Sequence, residues 1–233
     1  MNERTLNGLF LTGTDTGCGK TEIACGVMHY LRTRGVRVAG MKPVASGAAV
    51  IDGKLINEDA SLIRAQQSGK TPYDWVNPYA FAPPVAPHLA AADVGVEIDF
   101  ETIRESAEHL FERRDFILVE GVGGWRVPLS GGRTVAHLAA YLRLPVILVV
   151  GLKLGCINHA LLSAEAIRHD GLDLAGWVAN VVEPSMLLQQ ENIETLISVL
   201  GAPLLGVVPH LSPVEAKRVA GYLDLTALGF VDK

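Results

Sequence analysis

Short apolar runs alternate with stretches of helical period along most of this chain. The runs are rich in Val, Ile and Leu, which is typical of strands buried on both faces; they cover residues 9–12, 36–41, 116–119, 145–150, 174–179 and 204–208. Between most of them lie helical stretches at residues 20–34, 98–113, 134–142, 158–169 and 186–200. This alternation predicts an α/β fold with a mostly parallel sheet flanked by helices on both faces.

Size and charge limit the functions that such a chain can have. With 233 residues it is long enough for one sizeable core and short for two. We therefore expect a single domain over residues 1–233. The formal net charge is −5, and no stretch concentrates Lys or Arg in the way that binding to a phosphate backbone requires. A nucleic-acid partner is not expected.

Hydropathy and cysteine usage indicate the compartment. Mean hydropathy is high at +0.28, but the longest apolar run, residues 144–152, contains Pro145 and Gly151 and is too short to span a bilayer. The charged region, apolar region and cleavage site of a secretory signal are not all present at the N-terminus. Cys18, Cys25 and Cys156 have neither the even count of a disulfide framework nor the spacing of a zinc site. We expect a cytoplasmic protein without membrane attachment.

The chemistry is carried by the segment GTDTGCGKT at residues 13–21, which joins the first predicted strand to the first predicted helix. Backbone N–H groups of such a loop surround phosphate, while Lys20 can reach the outer phosphates and Thr21 can bind Mg²⁺. Five residues separate Gly13 from Gly19, one more than in the common Walker A pattern. The alternative, a chance glycine-rich turn, does not explain the strand and helix on either side.

Polar or conformationally special residues follow several of the apolar runs. Ligands of open parallel sheets bind beyond the carboxyl ends of the strands, so these residues are expected to converge on one edge. They are Lys42 with Ser46 beyond it, Glu120 followed by the glycine-rich residues 121–124, Asn180, and Pro209. The glycine-rich stretch either lets the backbone approach a ligand or makes a tight turn.

Individual side chains at this edge have both functional and structural interpretations. Glu120 stands where a Walker B carboxylate would help Thr21 and the phosphates to hold Mg²⁺. Asp59 could reach the same metal ion or cap the helix that begins beside it. Lys42 could stabilise charge on a transferring phosphate or be a solvated strand-end lysine, and Ser46 could be a ligand or an ordinary loop hydroxyl.

Residues 43–99 depart from the alternating pattern. They contain one predicted short helix at residues 58–67 and a proline-punctuated stretch at residues 77–88. Long irregular connections are usually functional or disordered. Because this one is rich in aromatic and apolar residues, we interpret it as a wall of the substrate site.

Further segments, together with the glycine-rich loop, carry a specific resemblance: MKPVASG at 41–47, NED at 57–59, NPYAF at 77–81, VEGVGGW at 119–125, PVILVVGLKLGCINHALL at 145–162 and GWVAN at 176–180. On these segments the chain resembles the dethiobiotin synthetases, a family of the P-loop nucleoside triphosphate hydrolase type. The resemblance implies a cyclo-ligase of biotin biosynthesis that depends on ATP and Mg²⁺. It would join 7,8-diaminononanoate and CO₂ through a carbamate and a carbamic-phosphoric anhydride, and release ADP and phosphate.

The resemblance also assigns roles to residues. Lys42 and Lys20 would be catalytic. ATP would contact Asp15, Thr16, Gly17, Cys18, Gly19, Lys20, Thr21, Glu22, Asp59, Glu120, Gly121, Val122, Gly123, Asn180, Pro209, His210, Leu211 and Glu215. Magnesium would be held by Thr21, Asp59 and Glu120. The diamine would contact Ser46, Pro84, Gly123, Gly124 and Asn158. Members of the family are homodimers in which the substrate reaches the partner subunit, so Asn158 would act across that interface.

The resemblance is imperfect at Cys18, where Val is more usual, and at the expected base site. Val181 stands where an acid is common, and His210 stands where a larger aromatic residue is frequent, so the sequence leaves the selectivity for ATP open.

Other P-loop functions fit the sequence less well. An amide-forming synthetase for a larger carboxylate would need a glutamine-hydrolysing domain, for which there is no room. Partition and septum-placement ATPases carry an additional lysine early in the loop, where this chain has Thr14, Asp15 and Thr16. A GTPase would have Lys-x-Asp after Asn180, where this chain has Val-Val-Glu.

Overall fold

The structure is a computed structural model that describes residues 5–229. The strands are β1 (Gly8–Gly13), β2 (Val38–Met41), β3 (Val44–Ser46), β4 (Ala49–Ile51), β5 (Lys54–Ile56), β6 (Tyr79–Phe81), β7 (Phe116–Glu120), β8 (Val146–Gly151), β9 (Leu174–Asn180) and β10 (Leu204–Val208). The helices are α1 (Lys20–Arg32), α2 (Glu58–Ala65), α3 (Tyr73–Val76), α4 (Pro87–Asp93), α5 (Phe100–Phe111), α6 (Val135–Leu142), α7 (Cys156–His169), α8 (Gln189–Val199) and α9 (Ala216–Ala220).

A six-stranded sheet in the order β10-β9-β8-β1-β7-β2 forms the centre of the molecule. Every neighbouring pair in it is parallel. Each of the six apolar runs of the sequence forms one of these strands, because a run without polar residues can be buried on both sides of a parallel sheet. The predicted strands and the five helical stretches between them are thereby confirmed.

Helices cover both faces of this sheet. Successive residues of a strand point to opposite faces, and every residue of β1, β7 and β8 is buried. Helix α1 packs against β1, β2 and β7, while α7 packs against β8 and β9. The largest side chains of the core include Phe10, Phe116 and Trp177. The predicted fold class is therefore confirmed.

The register of the strands brings their carboxyl ends to one edge. Gly13 at the end of β1 lies opposite Val149, and Glu120 at the end of β7 lies opposite Leu11. Asn180 at the end of β9 is paired with Gly151 and with Val208 at the end of β10. The segments that follow these strands therefore leave the sheet on the same side.

Residues 43–99 contain more regular structure than the sequence predicts. β3 pairs with β6 in parallel, β4 and β5 form an antiparallel hairpin, and the short helices α3 and α4 lie in the same segment. Strands of three residues are too short for hydrophobic periodicity to reveal them. The helix predicted at residues 58–67 is confirmed as α2.

The cysteines are buried and carry no disulfide. Burial raises the pKa of the Cys25 thiol to about 12. Within residues 5–229, none of the helices combines the length and the hydropathy that a membrane span requires.

Candidate active site

The loop between β1 and α1 turns on two glycines with left-handed backbone. Gly17 has φ +77° and Gly19, which precedes the first residue of α1, has φ +86°. Side chains are strained in this region of φ, and a Cβ at Gly19 would stand 2.0 Å from the side-chain nitrogen of Asn180. No side chain caps α1, and its first residues line a cleft, so the backbone N–H groups of its first turn can bind an anion.

Two lysines belong to this site and both are buried. The ammonium of Lys20 donates to the backbone carbonyl of Asp15 at 2.8 Å. The ammonium of Lys42, directly after β2, donates to Asp59 Oδ2 at 2.5 Å and to Glu120 Oε1 at 2.6 Å. Only 5% of Lys42 and 1% of Glu120 are exposed, so this is a buried ion pair and not a solvated lysine at the end of a strand.

Charge keeps Lys42 protonated in spite of its burial. Burial of the ammonium, the largest single effect, lowers the pKa of Lys42. The negative charges of Glu120 and Asp59, together with their hydrogen bonds, raise it by more, so the net pKa lies above the ordinary value for lysine. Lys42 therefore presents a permanent positive charge at the edge of the sheet.

Glu120 offers a further oxygen to a cation. Its Oε1 accepts from Thr21 Oγ1 at 2.9 Å as well as from Lys42, whereas its Oε2 is buried without a partner. Two carboxylates and a hydroxyl are the hard oxygen ligands that Mg²⁺ takes when substrate phosphates complete its shell. Within the described chain no group of three His, Cys, Asp or Glu side chains is arranged to hold a metal ion, so phosphate oxygens would be needed here.

The N-terminal cap of α2 is not Asp59, which the sequence analysis considered as one possible cap. Asn57 caps α2, because its side chain accepts from the N–H of Ala60 at 3.1 Å. Asp59 lies in the first turn of the helix with its carboxylate on Lys42. The interpretation of Asp59 as the cap is therefore wrong. Its carboxylate forms a charged cluster with Lys42 and Glu120.

A cleft of about 770 Å³ lies over this cluster. One side is formed by the glycine-rich loop and the residues after β7, and the other by the segment of residues 43–99. The lining comprises Thr16, Gly17, Gly19, Lys20, Thr21, Glu22, Lys42, Ser46, Asn57, Glu58, Asp59, Leu62, Pro84, Val85, Ala86, Pro87, Glu120, Val122, Gly123 and Val127. The hydroxyl of Ser46 is buried there without a partner and is therefore available to a ligand.

A smaller cleft of about 190 Å³ continues from the loop on the other side. Gly17, Gly19 and Glu22 line both clefts. The rest of its wall consists of Asn180, Val181, Val182, Pro209, His210, Leu211 and Val214. Asn180 donates a side-chain N–H to the carbonyl of Cys18 at 3.0 Å, which ties this wall to the loop.

Several candidate residues lie outside both clefts: Asp15, Cys18, Gly121, Gly124, Asn158 and Glu215. A Cβ at Gly121 would meet Phe10 and Val135, and a Cβ at Gly124 would stand 3.4 Å from the carbonyl oxygen of Gly13. Asn158 is exposed in the first turn of α7, and Glu215 is the exposed residue before α9. The structure thus brings Lys20, Lys42, Asp59 and Glu120 together at the larger cleft, whereas Asn158 and Glu215 lie away from both clefts.

Lys153 is a residue near the site for which the sequence analysis predicts no role. Its ammonium bonds Asp15 Oδ2 at 2.7 Å, while Asp15 Oδ1 accepts the N–H of Thr16 at 2.7 Å. The hydrogen bond from Lys153 is the main reason that the pKa of Asp15 is lowered. Lys153 therefore connects the segment after β8 to the phosphate-binding loop. The sequence signal was a lysine directly after the apolar run of residues 144–152, as Lys42 directly follows the run of residues 36–41.

We expect Lys153→Met to raise the KM for the nucleotide that this loop binds by about three- to fivefold, with little change in kcat or stability. An ion pair this exposed contributes at most about 1 kcal/mol, and that contribution is screened by salt. The measurement is the KM for this nucleotide at low salt and at about 0.5 M salt. The difference in KM between variant and wild type should be smaller at the higher salt concentration, because salt screens the ion pair. An unchanged KM at low salt would mean that Lys153 does not order the loop.

Solved structures resemble the chain in fold. MinD, the septum site-determining protein of Pyrococcus horikoshii, aligns with a TM-score of 0.55 at 16% identity, over 95% of this chain and 88% of that one. A ParA family ATPase of Chlorobium tepidum aligns with a TM-score of 0.54 at 14% identity, over 98% of both chains. At such identities the likeness concerns the fold alone.

Sequence comparisons are more specific. Residues 7–218 match the AAA domain family AAA_26. A protein of Aromatoleum aromaticum named ATP-dependent dethiobiotin synthetase BioD is 53% identical over 93% of this chain and 96% of its own length. Proteins of the same name from Pseudomonas aeruginosa and Cellvibrio japonicus are 53% and 48% identical, each over 94% of this chain and at least 96% of their own length. The chain therefore belongs to the dethiobiotin synthetase family of P-loop proteins.

Proposed function

We propose that the two clefts form the active site of an ATP-dependent dethiobiotin synthetase. In this reaction CO₂ and one amine of 7,8-diaminononanoate form a carbamate, whose oxygen attacks the γ-phosphorus of ATP while ADP leaves. The second amine then attacks the carbonyl carbon of the mixed anhydride, and phosphate leaves as the ureido ring closes. The observation that carries the proposal is the buried Lys42 ammonium between two carboxylates, beside a phosphate-binding loop.

The shapes of the clefts suggest how the substrates are arranged. The polyphosphate of ATP would lie along residues 16–21, with its base in the smaller cleft at Asn180 and residues 209–211 and with Glu215 at its margin. Glu22, Val122 and Gly123 would line the path between phosphates and diamine. The diamine would occupy the larger cleft, where Ser46, Pro84 and Gly123 are part of the wall.

Catalysis in this site would rest on position and charge. In-line transfer of a phosphoryl group needs aligned reactants and neutralised oxygens, but no side-chain nucleophile. Lys20 would neutralise the outer phosphates once it leaves the carbonyl of Asp15, and Lys42 would face the oxygens of the transferring group. The free hydroxyl of Ser46 would hold the carbamate or the amine that bears it.

Magnesium would be held by Thr21, Asp59 and Glu120. When bound, it would supply positive charge to the β- and γ-phosphate oxygens. The unpartnered Oε2 of Glu120 supports this assignment.

We also propose that the chain is a single catalytic domain over residues 1–233 and that it forms a homodimer. We propose a cytoplasmic location, because ATP is available there. Asn158 would contact the tail of the substrate across the dimer interface. In support, Asn158 is exposed on α7, and two leucines of the same region are exposed as well: Leu154 before the helix at 92% and Leu162 on it at 57%.

Release of ADP is expected to require the diamine and bicarbonate together. Neither the carbamate nor the ring can form without both, so leaving out either one should lower ADP release to the background rate. The measurement is ADP release in parallel with product detection by mass spectrometry. Hydrolysis that needs no diamine and is stimulated by a protein partner would contradict the proposal and favour a switch ATPase.

A further inference from the structure

A chain of buried hydrogen bonds lies behind the catalytic lysine. Asn77 is 3% exposed and Asn57 is 7% exposed. The hydroxyl of Tyr73 joins them, because it accepts the backbone N–H of Asn57 at 2.7 Å and donates to Asn77 Oδ1 at 2.9 Å. Burial raises the pKa of Tyr73, so its hydroxyl keeps the proton that it donates. Buried polar groups persist when they are satisfied in this way, and they then define one arrangement.

One end of this chain holds the backbone of Lys42. Asn77 donates its side-chain N–H groups to the carbonyl of Lys42 at 2.8 Å and to that of Tyr79 at 3.2 Å. The N–H of Lys42 donates to the carbonyl of Val76 at 2.8 Å. Both polar groups of the Lys42 backbone are thus fixed by two consecutive residues of the same turn.

The other end holds the carboxylate and the hydroxyl that share the cleft with Lys42. Asn57 accepts the N–H of Ala60 and so fixes the first turn of α2, which carries Asp59. The side-chain nitrogen of Asn57 also lies 3.4 Å from the carbonyl of Ser46 and donates to it. The chain of hydrogen bonds therefore connects three residues of the site, Lys42, Ser46 and Asp59.

We infer that Tyr73 and Asn77 are positioning residues that, through Asn57, set the place of Lys42 relative to Asp59 and Ser46 for the transfer of the phosphoryl group. Neither Tyr73 nor Asn77 lines the cleft, so both act through the residues that they hold. Misplacement of a reacting group by about 1 Å can lower a rate by about 100-fold, so loss of one link should be visible in kcat. The inference rests on the proposed function.

The test is Tyr73→Phe, which removes only the hydroxyl. Its matched control is Tyr30→Phe. Tyr30 is buried and lines neither cleft, and its hydroxyl accepts the N–H of Leu225 at 3.4 Å. We expect Tyr73→Phe to lower kcat by about tenfold, while the KM for ATP stays within about twofold because the phosphate-binding loop is untouched. The control should lower the unfolding temperature without changing kcat.

The two proposals fail in different ways. If wild type makes no dethiobiotin, the proposed function is wrong. If wild type makes it and Tyr73→Phe keeps a kcat within twofold of the control, only the positioning role is wrong. Should Tyr73→Phe not fold, Asn77→Ala is measured instead, because it removes the donor to the Lys42 carbonyl and leaves Tyr73 in place. The same tenfold loss supports the inference, and an unchanged kcat overturns it.

Discussion

Replacing Lys42 with Met should lower the rate of dethiobiotin formation by about 10²–10³-fold, since a single well-placed donor to a developing charge contributes about 3–4 kcal/mol. The loop residues that would hold the triphosphate do not depend on Lys42, so the Kd for ATP should stay within about tenfold. The measurements are kcat with saturating diamine and bicarbonate, and nucleotide affinity by equilibrium titration.

A loss of stability must be separated from this loss of chemistry. Removal of Lys42 leaves Glu120, which is 1% exposed, without its ammonium, and breaking a buried pair costs about 3–5 kcal/mol. The thermal unfolding midpoint should therefore fall as well, and kcat has to be measured well below it. Lys54→Met is the control, because Lys54 pairs with Asp74 at 3.9 Å on the surface. If Lys42→Met stays folded and forms product at the wild-type rate, Lys42 is not catalytic.

The sheet and its edge could be predicted because their signals are local. A strand buried on both faces is a continuous apolar run, and a parallel sheet sends all its carboxyl ends to one side. The positions of Lys42 and Glu120 at this edge follow from these two facts, since each ends or follows such a run. Neither needs knowledge of which strands are neighbours.

The contacts of these residues could not be predicted in the same way. Lys153 meets Asp15 because β8 lies beside β1, and strand order is not encoded in hydrophobic periodicity. Asn57, Glu58 and Asp59 are all acceptable near a helix start, and only the first turn of α2 decides that Asn57 is the cap. Tyr73 and Asn77 lie in a segment whose short strands leave no periodic signal.

Glu120→Gln should separate the metal from the rest of the site. Glutamine keeps the shape of the side chain and an oxygen for Thr21 and Lys42, but it removes the charge that pairs with the buried Lys42 ammonium. The free energy of unfolding should therefore fall by about 1–3 kcal/mol, less than in Lys42→Met because Asp59 still pairs with Lys42. The neutral amide of glutamine is a poor ligand for Mg²⁺, which prefers carboxylate and phosphate oxygens. We expect the Mg²⁺ concentration for half-maximal activity to rise by about tenfold or more, and kcat at saturating Mg²⁺ to fall by about 100-fold.

The half-maximal Mg²⁺ concentration and kcat are both obtained by measuring product formation over a Mg²⁺ titration. The control is Glu97→Gln, because the Glu97 carboxylate lies 3.7 Å from Arg133 on the surface. A variant with reduced kcat but an unchanged Mg²⁺ requirement would show that Glu120 serves Lys42 and does not hold the metal.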